Sequence, residues 1–545
     1  MIKLKINEEI QTFKEKVALF DLVDQNDKSI LVAKVNNRLR ELHYEVAYDA
    51  VVEFLDYTSN EARIAYKNSL RYLVSMAFFN VFPDYNLKFK NSVSRSIFCY
   101  VAEKKNIDIP AVLKTINEEM TRLIELDIPF NRLTLSIKEA SELYKKFKST
   151  DKQNSLKYRP DMNVHLYDCD GYLNYMYGYM VASTGYLKNF KLTPYDVGFL
   201  LRYPVANVTN LIPEFSDSPH FIRLLRNASK WSNVVDATNI ADLNEHIVNE
   251  NQSEFVQLSE AKQNKMLAEL GDIIQSKSSD IRIIAIAGPS SSGKTTFSTR
   301  LKIELMTRNI KPVTISLDNY YLDLEKLTKG IDGQVDLENI NTLDIELFNQ
   351  NMVSLIAGEE VNIPIFDFTV AKRVGYKPLK ISKESPIIIE GIHGLNPELT
   401  KMIPNKQKYK IYITPQLQMN IDNHNPISST DLRLLRRIVR DKKYRDCTAT
   451  KTLSMWFSVR SGEYKWVYPF LDQADYVYNS VLQYELSVLK KHALPTLQAV
   501  PNDSEYFVTA NRLIKFIKYF IDIDDFKVPC NSLLREFIGG SCVTE

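Results

Sequence analysis

A chain of 545 residues is too long for one ordinary hydrophobic core, and its length implies about three globular units. Apolar residues make up 45% and charged residues 25%, which excludes wholesale disorder. A net charge of +2, with basic residues spread along the chain, gives no overall electrostatic case for nucleic acid or an anionic membrane.

The N-terminal stretch MIKLKINEEIQTF lacks a signal-peptide pattern, and apolar runs such as Ile283 to Ala287 and Ile387 to Ile389 fall far short of the roughly 20 residues that cross a bilayer. No membrane contact is expected, and the expected compartment is cytoplasmic. Cys99, Cys169, Cys447, Cys530 and Cys542 are odd in number and never spaced CxxC, so they predict neither a disulfide framework nor a zinc knuckle. Most are expected as small core residues.

In chain order, residues 1–58 read as a β-grasp-like module: alternation at Met1 to Ile6, polar turns at Asp24 to Lys28, a strand at Ser29 to Val35. At Ser59 the period becomes helical, with Ala65, Leu70, Leu73, Val74 and Ala77 on one face to about Phe82. This opens a second, α+β domain over 59–204, with a helix near Pro110 to Leu126 and a Tyr-rich stretch, Tyr172 to Phe190, near turn residues Gly171, Gly178 and Gly185. A helical connector follows over 205–279, where Glu245 to Lys277 predicts one helix or a pair.

From Asp280 the rhythm is strand, loop, helix: IRIIAIAG, a helix through Leu305, PVTISLD, PIIIEG, YKIYIT, a helix, DYVYNS. Buried strands alternating with helices predict an α/β doubly wound parallel sheet over 280–500, with 501–545 as a C-terminal extension.

Gly288-Pro-Ser290-Ser291-Ser292-Gly293-Lys294-Thr295 is a complete GxxxxGKT between an apolar strand and a helix expected to begin near Thr296. Such a loop turns its backbone N–H groups inward around phosphates, with Lys294 reaching the outer phosphates and Thr295 offering a hydroxyl to Mg²⁺. Asp318 is expected to close the strand Pro312 to Leu317, where a carboxylate faces the phosphate site and can take a hydroxyl proton; the alternative is a turn or N-cap Asp. Glu390 ends the strand Pro386 to Ile389 and suits Mg²⁺ directly or through water, or is a plain turn acid. Arg433, Arg437 and Arg440 share one helical face, with leucines and Ile438 opposite, as in an arginine lid over a triphosphate or a solvated helix face.

Taken together, AGPSSSGKTT, SLDNYY, GQVDLENINTLD, IPIFDF, IIIEGIHGLNP and LLRRIVRDKKYR, in that order, resemble the uridine kinase and phosphoribulokinase family over roughly Asp280 to Val500. The resemblance implies Asp318 as general base, Asp336 on ribose hydroxyls, Tyr321 and Phe366 at the acceptor site, and Arg437, Arg440 and Arg445 as lid and phosphate clamp. Two positions depart from uridine-cytidine kinases: Ala371 stands where a histidine aligns, and Cys447 where an arginine does. Both changes remove groups that read a pyrimidine edge.

The N-terminal half resembles the front of threonyl-tRNA synthetase, a TGS-like module followed by an editing-like domain. KNSLRYLVSMA aligns with the helix that carries HxxxH there, and NYMYGYMVASTGYLKNFKL with the segment that carries a Cys and a further His. The four positions are Asn68, Tyr72, Met176 and Met180, so the ancestral chemistry is expected to be absent and the site filled as core.

The expected function is ATP-dependent transfer of the γ-phosphate to the 5'-hydroxyl of a nucleoside, with ATP and Mg²⁺ as cofactors. The alternatives are a kinase of another hydroxylated metabolite, or a nucleotide-switched RNA-binding or regulatory protein, which the near-neutral charge disfavours. A homo-oligomer is expected. In the segment Pro529 to Gly540, Arg535 and Glu536 are expected as ordinary surface residues.

Overall fold

The computed structural model describes residues 1–93, 95–102, 108–204, 211–249, 252–323, 325, 327, 336, 338–367 and 370–543. Parts of the GQVDLENINTLD and IPIFDFTVAKR stretches, and residues 205–210 at the head of the expected connector, lie outside them.

Five strands, β1 (Ile2–Ile6), β2 (Glu9–Phe13), β3 (Ile30–Val35), β4 (Arg38–Arg40) and β5 (Ala50–Asp56), form the first sheet in the order β2-β1-β5-β3-β4. Only β1 and β5 run parallel in it. Period two sets its faces, since Leu4 and Ile6 are buried while Lys3 faces solvent. Helix α1 (Asn60–Val81) starts where Ser59 Oγ accepts from Ala62 N at 3.1 Å. It is buried almost all round from Asn68 to Phe78 and shares one core with the first sheet and with Phe89, Cys99, Leu123 and Phe199 further along the chain.

Next come β6 (Leu87–Val93), β7 (Ser96–Val101), α2 (Ile109–Glu125), β8 (Asn131–Ser136), α3 (Ile137–Lys146), α4 (Thr150–Leu156), β9 (Asn163–Cys169), β10 (Tyr172–Asn174), β11 (Lys191–Tyr195) and β12 (Gly198–Arg202). They form two antiparallel sheets, β8-β9-β10 and β11-β12-β7-β6. Helices α5 (Pro219–Val234), α6 (Ile240–Val248) and α7 (Gln252–Gln275) come after them, so the expected helical stretch from Glu245 begins in the last turn of α6 and continues in α7 from Gln252.

The C-terminal region is α/β. Its strands β13 (Ile283–Ala287), β14 (Val313–Ser316), β17 (Ile387–Glu390), β18 (Lys408–Thr414) and β21 (Tyr476–Asn479) make one parallel sheet, ordered β14-β17-β13-β18-β21. Between β14 and β17 lie α9 (Ile345–Ala357) and the hairpin β15 (Val361–Asp367) and β16 (Lys372–Leu379). The order turns at β13, which puts the loop after it at the crevice where the chain goes off in both directions. All five residues of β13 are buried, as a strand covered on both faces requires.

α8 (Lys294–Met306) begins at Lys294, two residues before the expected start, because Gly293 caps it at φ +89°. β14 stops at Ser316, and Asp318 lies not at a strand end but in the 3₁₀ turn Leu317–Tyr320 beyond it. Ser316 Oγ accepts from Asp318 N at 3.3 Å and bends the chain out of the sheet there.

After β18, the short hairpin β19 (Asn420–Asp422) and β20 (Asn425–Pro426) precedes α10 (Ser429–Arg445), α11 (Ala449–Trp466), α12 (Glu485–Gln498), α13 (Phe507–Ile517) and α14 (Arg535–Ile538). Through this hairpin the two halves hold each other: Asn425 Oδ1 accepts from Tyr177 N at 2.8 Å, and Asn420 Nδ2 donates to Phe89 O at 2.9 Å. Helices α6 and α7 and the tail residues Leu533, Leu534, Phe537 and Ile538 share one apolar core with β13 and β18. The cysteines depart from expectation. Cys99 and Cys169 are buried, but Cys530 and Cys542 are exposed and Cys447 is half-buried.

Candidate active site

The loop Gly288 to Gly293 closes tightly around its own interior. A Cβ on Gly288 would collide with Ile413 O, and Ser291 sits at φ +58°, so the loop is held in a shape that few sequences tolerate. Lys294 Nζ donates to Gly288 O at 3.1 Å and Pro289 O at 3.3 Å, which curls the ammonium over the loop. Burial lowers the Lys294 pKa, opposed by the negative charges of Glu390, Glu536 and Asp318.

Three hydroxyls of this cradle, Ser291 Oγ, Ser292 Oγ and Thr296 Oγ1, are buried without a hydrogen-bond partner. Buried polar atoms are usually paired, so this concentration of orphans fits a site that phosphate oxygens complete.

Two carboxylates stand opposite. Glu390 is buried at the end of β17 and accepts from Ser316 Oγ at 3.2 Å; burial, reinforced by the charge of Asp318, pushes its pKa up to about 7. Asp318 is open to solvent at the mouth but walled by protein on its other sides, and that burial raises its pKa against the pull of Lys294, Arg445 and Arg440. Asp318, Glu390, Lys294, Arg440 and Arg445 therefore share one electrostatic environment.

The arginine helix is neither a solvated face nor a simple two-sided one. Ser428 caps α10, and Arg433, Arg436 and Arg437 are buried with Leu432, Leu434, Leu435 and Ile438. Arg433, grouped by its spacing with the lid arginines, is taken up by Glu463 and donates from Nε to Ser290 O at 3.0 Å. Glu463 Oε1 also accepts from Ser290 N at 3.1 Å, so this pair braces the loop from behind. Burial would raise Glu463, but Arg433 and Arg460 outweigh it and hold the carboxyl low.

Arg436 is fully buried, bonded to Glu485 at 2.5 Å and to Ser291 O at 3.3 Å. Arg437 donates to Ser290 Oγ at 2.7 Å. Asp441 gathers the remaining forks, Arg437 at 3.3 Å, Arg440 at 2.7 Å and Arg445 at 3.7 Å.

The rings of Tyr321 and Phe366 lie 5.7 Å apart, and Arg373 ties the neighbouring turn together through Tyr321 O at 3.0 Å and Asp344 at 3.0 Å. Asp336 is half-buried, pairs with Lys465 at 3.8 Å and accepts from Glu338 N at 3.2 Å. Burial pushes Glu338 up to about 7, helped by Glu463 and opposed by Arg437 and Lys294, so this acid faces the same space. Ala371 adopts φ +52° and Cys447 is half-buried; neither carries a ring nitrogen or a guanidinium.

Hydrogen bonds and shared charge thus link Gly288 to Thr296 with Asp318, Glu390, Arg437, Arg440 and Arg445, while Tyr321 packs against Phe366 and Asp336 pairs with Lys465. Sequence reasoning missed Glu463, Glu338 and Asp441. Asp441, four residues from both Arg437 and Arg445, and Glu463, three residues after Arg460, had readable local signals. The expectation for the tail is corrected. Arg535 donates to the carbonyls of Asp525 and Val528, both at 2.6 Å, and Glu536 Oε2 accepts from Thr296 N at 3.0 Å, inside the cradle.

Residues 283–487 match the family model described as Phosphoribulokinase / Uridine kinase family. The C-terminal region is a P-loop domain of that family. A uridine kinase from Ureaplasma parvum serovar 3 is 28% identical to this phosphoribulokinase/uridine kinase region over 183 residues, 33% of this chain and 79% of that one. The N-terminal half resembles a threonine–tRNA ligase from Desulforamulus reducens, 31% identical over 166 residues, 30% of this chain. The alignment spans only about a quarter of that ligase, 26% of its length. Among solved structures, a putative fructose transport system kinase from Silicibacter sp. TM1040 aligns with 39% of this chain and 98% of its own, at 17% identity and a TM-score of 0.30. Among the described residues no helix is long and apolar enough to cross a membrane.

Proposed function

We propose that the protein is an ATP-dependent kinase that transfers the γ-phosphate to the 5'-hydroxyl of a nucleoside, in the manner of a uridine kinase. The observation that carries this reading is the cradle of unpaired buried hydroxyls at Ser291, Ser292 and Thr296, with Asp318 in electrostatic reach of Lys294, Arg440 and Arg445.

In this reading Lys294 and the loop amides hold the β- and γ-phosphates of ATP, and Arg437, Arg440 and Arg445 meet the charge that spreads over the transferring group. Asp318 orients the acceptor hydroxyl and takes its proton as the oxygen bonds to the γ-phosphorus; the bond to the bridging oxygen breaks and ADP leaves. Asp441 keeps the three arginine forks together, and Glu463 with Arg433 holds Ser290 in place. Mg²⁺ fits the donor set of the Thr295 hydroxyl and the Glu390 carboxylate, and it would neutralise phosphate charge there.

On the acceptor side, Tyr321 and Phe366 supply flat apolar surface and Asp336 an acceptor for sugar hydroxyls. Because Ala371 and Cys447 offer no base-reading hydrogen bond, a second reading is a kinase of another hydroxylated metabolite.

Transfer from labelled ATP to a panel of nucleosides and sugars tests both readings, with Asp318→Asn as control. Asp318→Asn is expected to lower kcat by roughly 10²- to 10⁴-fold while leaving ATP affinity in place. Transfer to sugars alone would select the second reading, and near-normal turnover in the variant would place the base elsewhere.

A further inference from the structure

The C-terminal segment returns across the molecule to the nucleotide cradle. Leu533 packs so closely on the P-loop that a Cβ on Gly293 would collide with its side chain. Three residues further on, α14 presents Glu536, whose Oε2 accepts from Thr296 N at 3.0 Å. That amide belongs to the first turn of α8, where unpaired N–H groups and the helix dipole favour an anion.

The contact is built from several sides. Leu533, Leu534, Phe537 and Ile538 are buried in the core beneath the sheet. Arg436, which bonds Ser291 O, also lies over the Phe537 ring at 4.9 Å. Ser532 Oγ donates to Glu260 at 2.5 Å, and Arg535 is tied down by backbone carbonyls on both sides of it. At its far end Gly539 lies against Lys443 and Tyr444 of the arginine helix, so the segment runs from the P-loop to the lid. The negative charge of Glu536 is felt by both Lys294 and Glu390.

We propose that Glu536 is an intramolecular competitor for nucleotide phosphate: its carboxylate occupies a phosphate-binding amide of the P-loop and must yield before a nucleotide seats fully. This rests on the reading of Gly288 to Thr296 as a nucleotide cradle. A carboxylate and a phosphate oxygen use the same donor, and two anions cannot share it without repulsion. The tail anchor gives the carboxylate a high local concentration at the site, so it competes without being bound tightly. A cradle that is open about a tenth of the time binds ATP about tenfold more weakly than one that is always open.

The test is the Kd of full-length protein for ATP with Mg²⁺, for pyrophosphate and for adenosine, in the parent, Glu536→Ala and Glu536→Gln. Glu536→Ala is expected to tighten ATP and pyrophosphate about tenfold and leave adenosine unchanged, with Glu536→Gln between, because an amide oxygen still accepts from Thr296 N without carrying charge. Unchanged or weaker ATP binding in Glu536→Ala overturns the proposal, as does an equal gain for adenosine, which would mean the tail blocks the base rather than the phosphates. The two readings fail differently: a parent protein that binds ATP but ignores Glu536 sinks the competitor alone. ATP and pyrophosphate binding to neither parent nor variants sinks the cradle and the competitor with it.

Discussion

In the N-terminal half, the four positions that align with an editing centre are closed by the protein itself. Asn68 Nδ2 donates to Tyr177 O at 3.0 Å, its Oδ1 accepts from Arg71, the Tyr72 hydroxyl donates to Tyr167 O at 3.0 Å, and Met176 and Met180 fill the remaining space. Around the P-loop the opposite holds, with Ser291, Ser292 and Thr296 hydroxyls unpaired and carboxylates crowded until burial raises them. In the N-terminal half the side-chain polar atoms of Asn68 and Tyr72 have protein partners, and the surroundings are packed as core. A site that leaves donors unpaired and charges in tension is built around something the chain does not itself provide.

Lys294 is the side chain on which the cradle depends most. Lys294→Ala removes the ammonium that curls over the cradle, and both ATP affinity and phosphoryl transfer are expected to fall, turnover by on the order of 10²- to 10³-fold. Isothermal titration with ATP and a coupled transfer assay measure the two effects. A variant that kept both would show that the cradle is only a turn.

Glu390 gives a smaller effect that is read by pH. Its carboxyl is pushed up to about 7 in the folded chain against an ordinary 4.5, so the folded state holds a proton that the unfolded state has lost between those values. Stability linked to this group is present below about pH 4.5, is lost as pH rises to about 7, and stays lost above. Glu390→Gln is then expected to be more stable than the parent at pH 8 than at pH 4.5, the difference growing by up to on the order of 3 kcal/mol. Thermal melts of both proteins without nucleotide across that range are the measurement, and a constant offset would put Glu390 among ordinary carboxylates.

Legibility in the sequence divides along the same line. β13 and β17 read correctly because strands covered on both faces must be continuous apolar runs, and the P-loop read correctly because its chemistry occupies consecutive positions. Asp318 lies two residues beyond the strand rather than at its end, because the chain turns there into a 3₁₀ turn in which Ser316 Oγ accepts from Asp318 N. Glu463 showed only half its role: Arg460, three residues before it, marks a local pair, but Arg433, 30 residues away, and Ser290, 173 away, are what tie it to the loop, and no local pattern marks a pairing at that range. Glu536 was misread because Arg-Glu looks like surface. The flanking Leu533, Leu534, Phe537 and Ile538 recur at helical spacing and were the signal that the segment is buried.

The smallest effect tests the N-terminal side of the comparison. Tyr72 sits in the middle of α1 with its ring against Phe130 and Tyr172, and its one hydroxyl hydrogen is shared between Tyr167 O and Tyr172 O, so two strands meet at one side chain. Tyr72→Phe keeps the packing and deletes only those bonds. Because both carbonyls remain buried, the loss is expected at about 1–2 kcal/mol of stability rather than the near-zero cost of an exposed hydroxyl. Chemical denaturation should show it, while ATP affinity and turnover stay at parent values, since Tyr72 touches none of the groups around Lys294. Unchanged stability with altered turnover would reverse the assignment, because a hydroxyl that matters to the reaction but not to the fold belongs to a working site and not to a filled one.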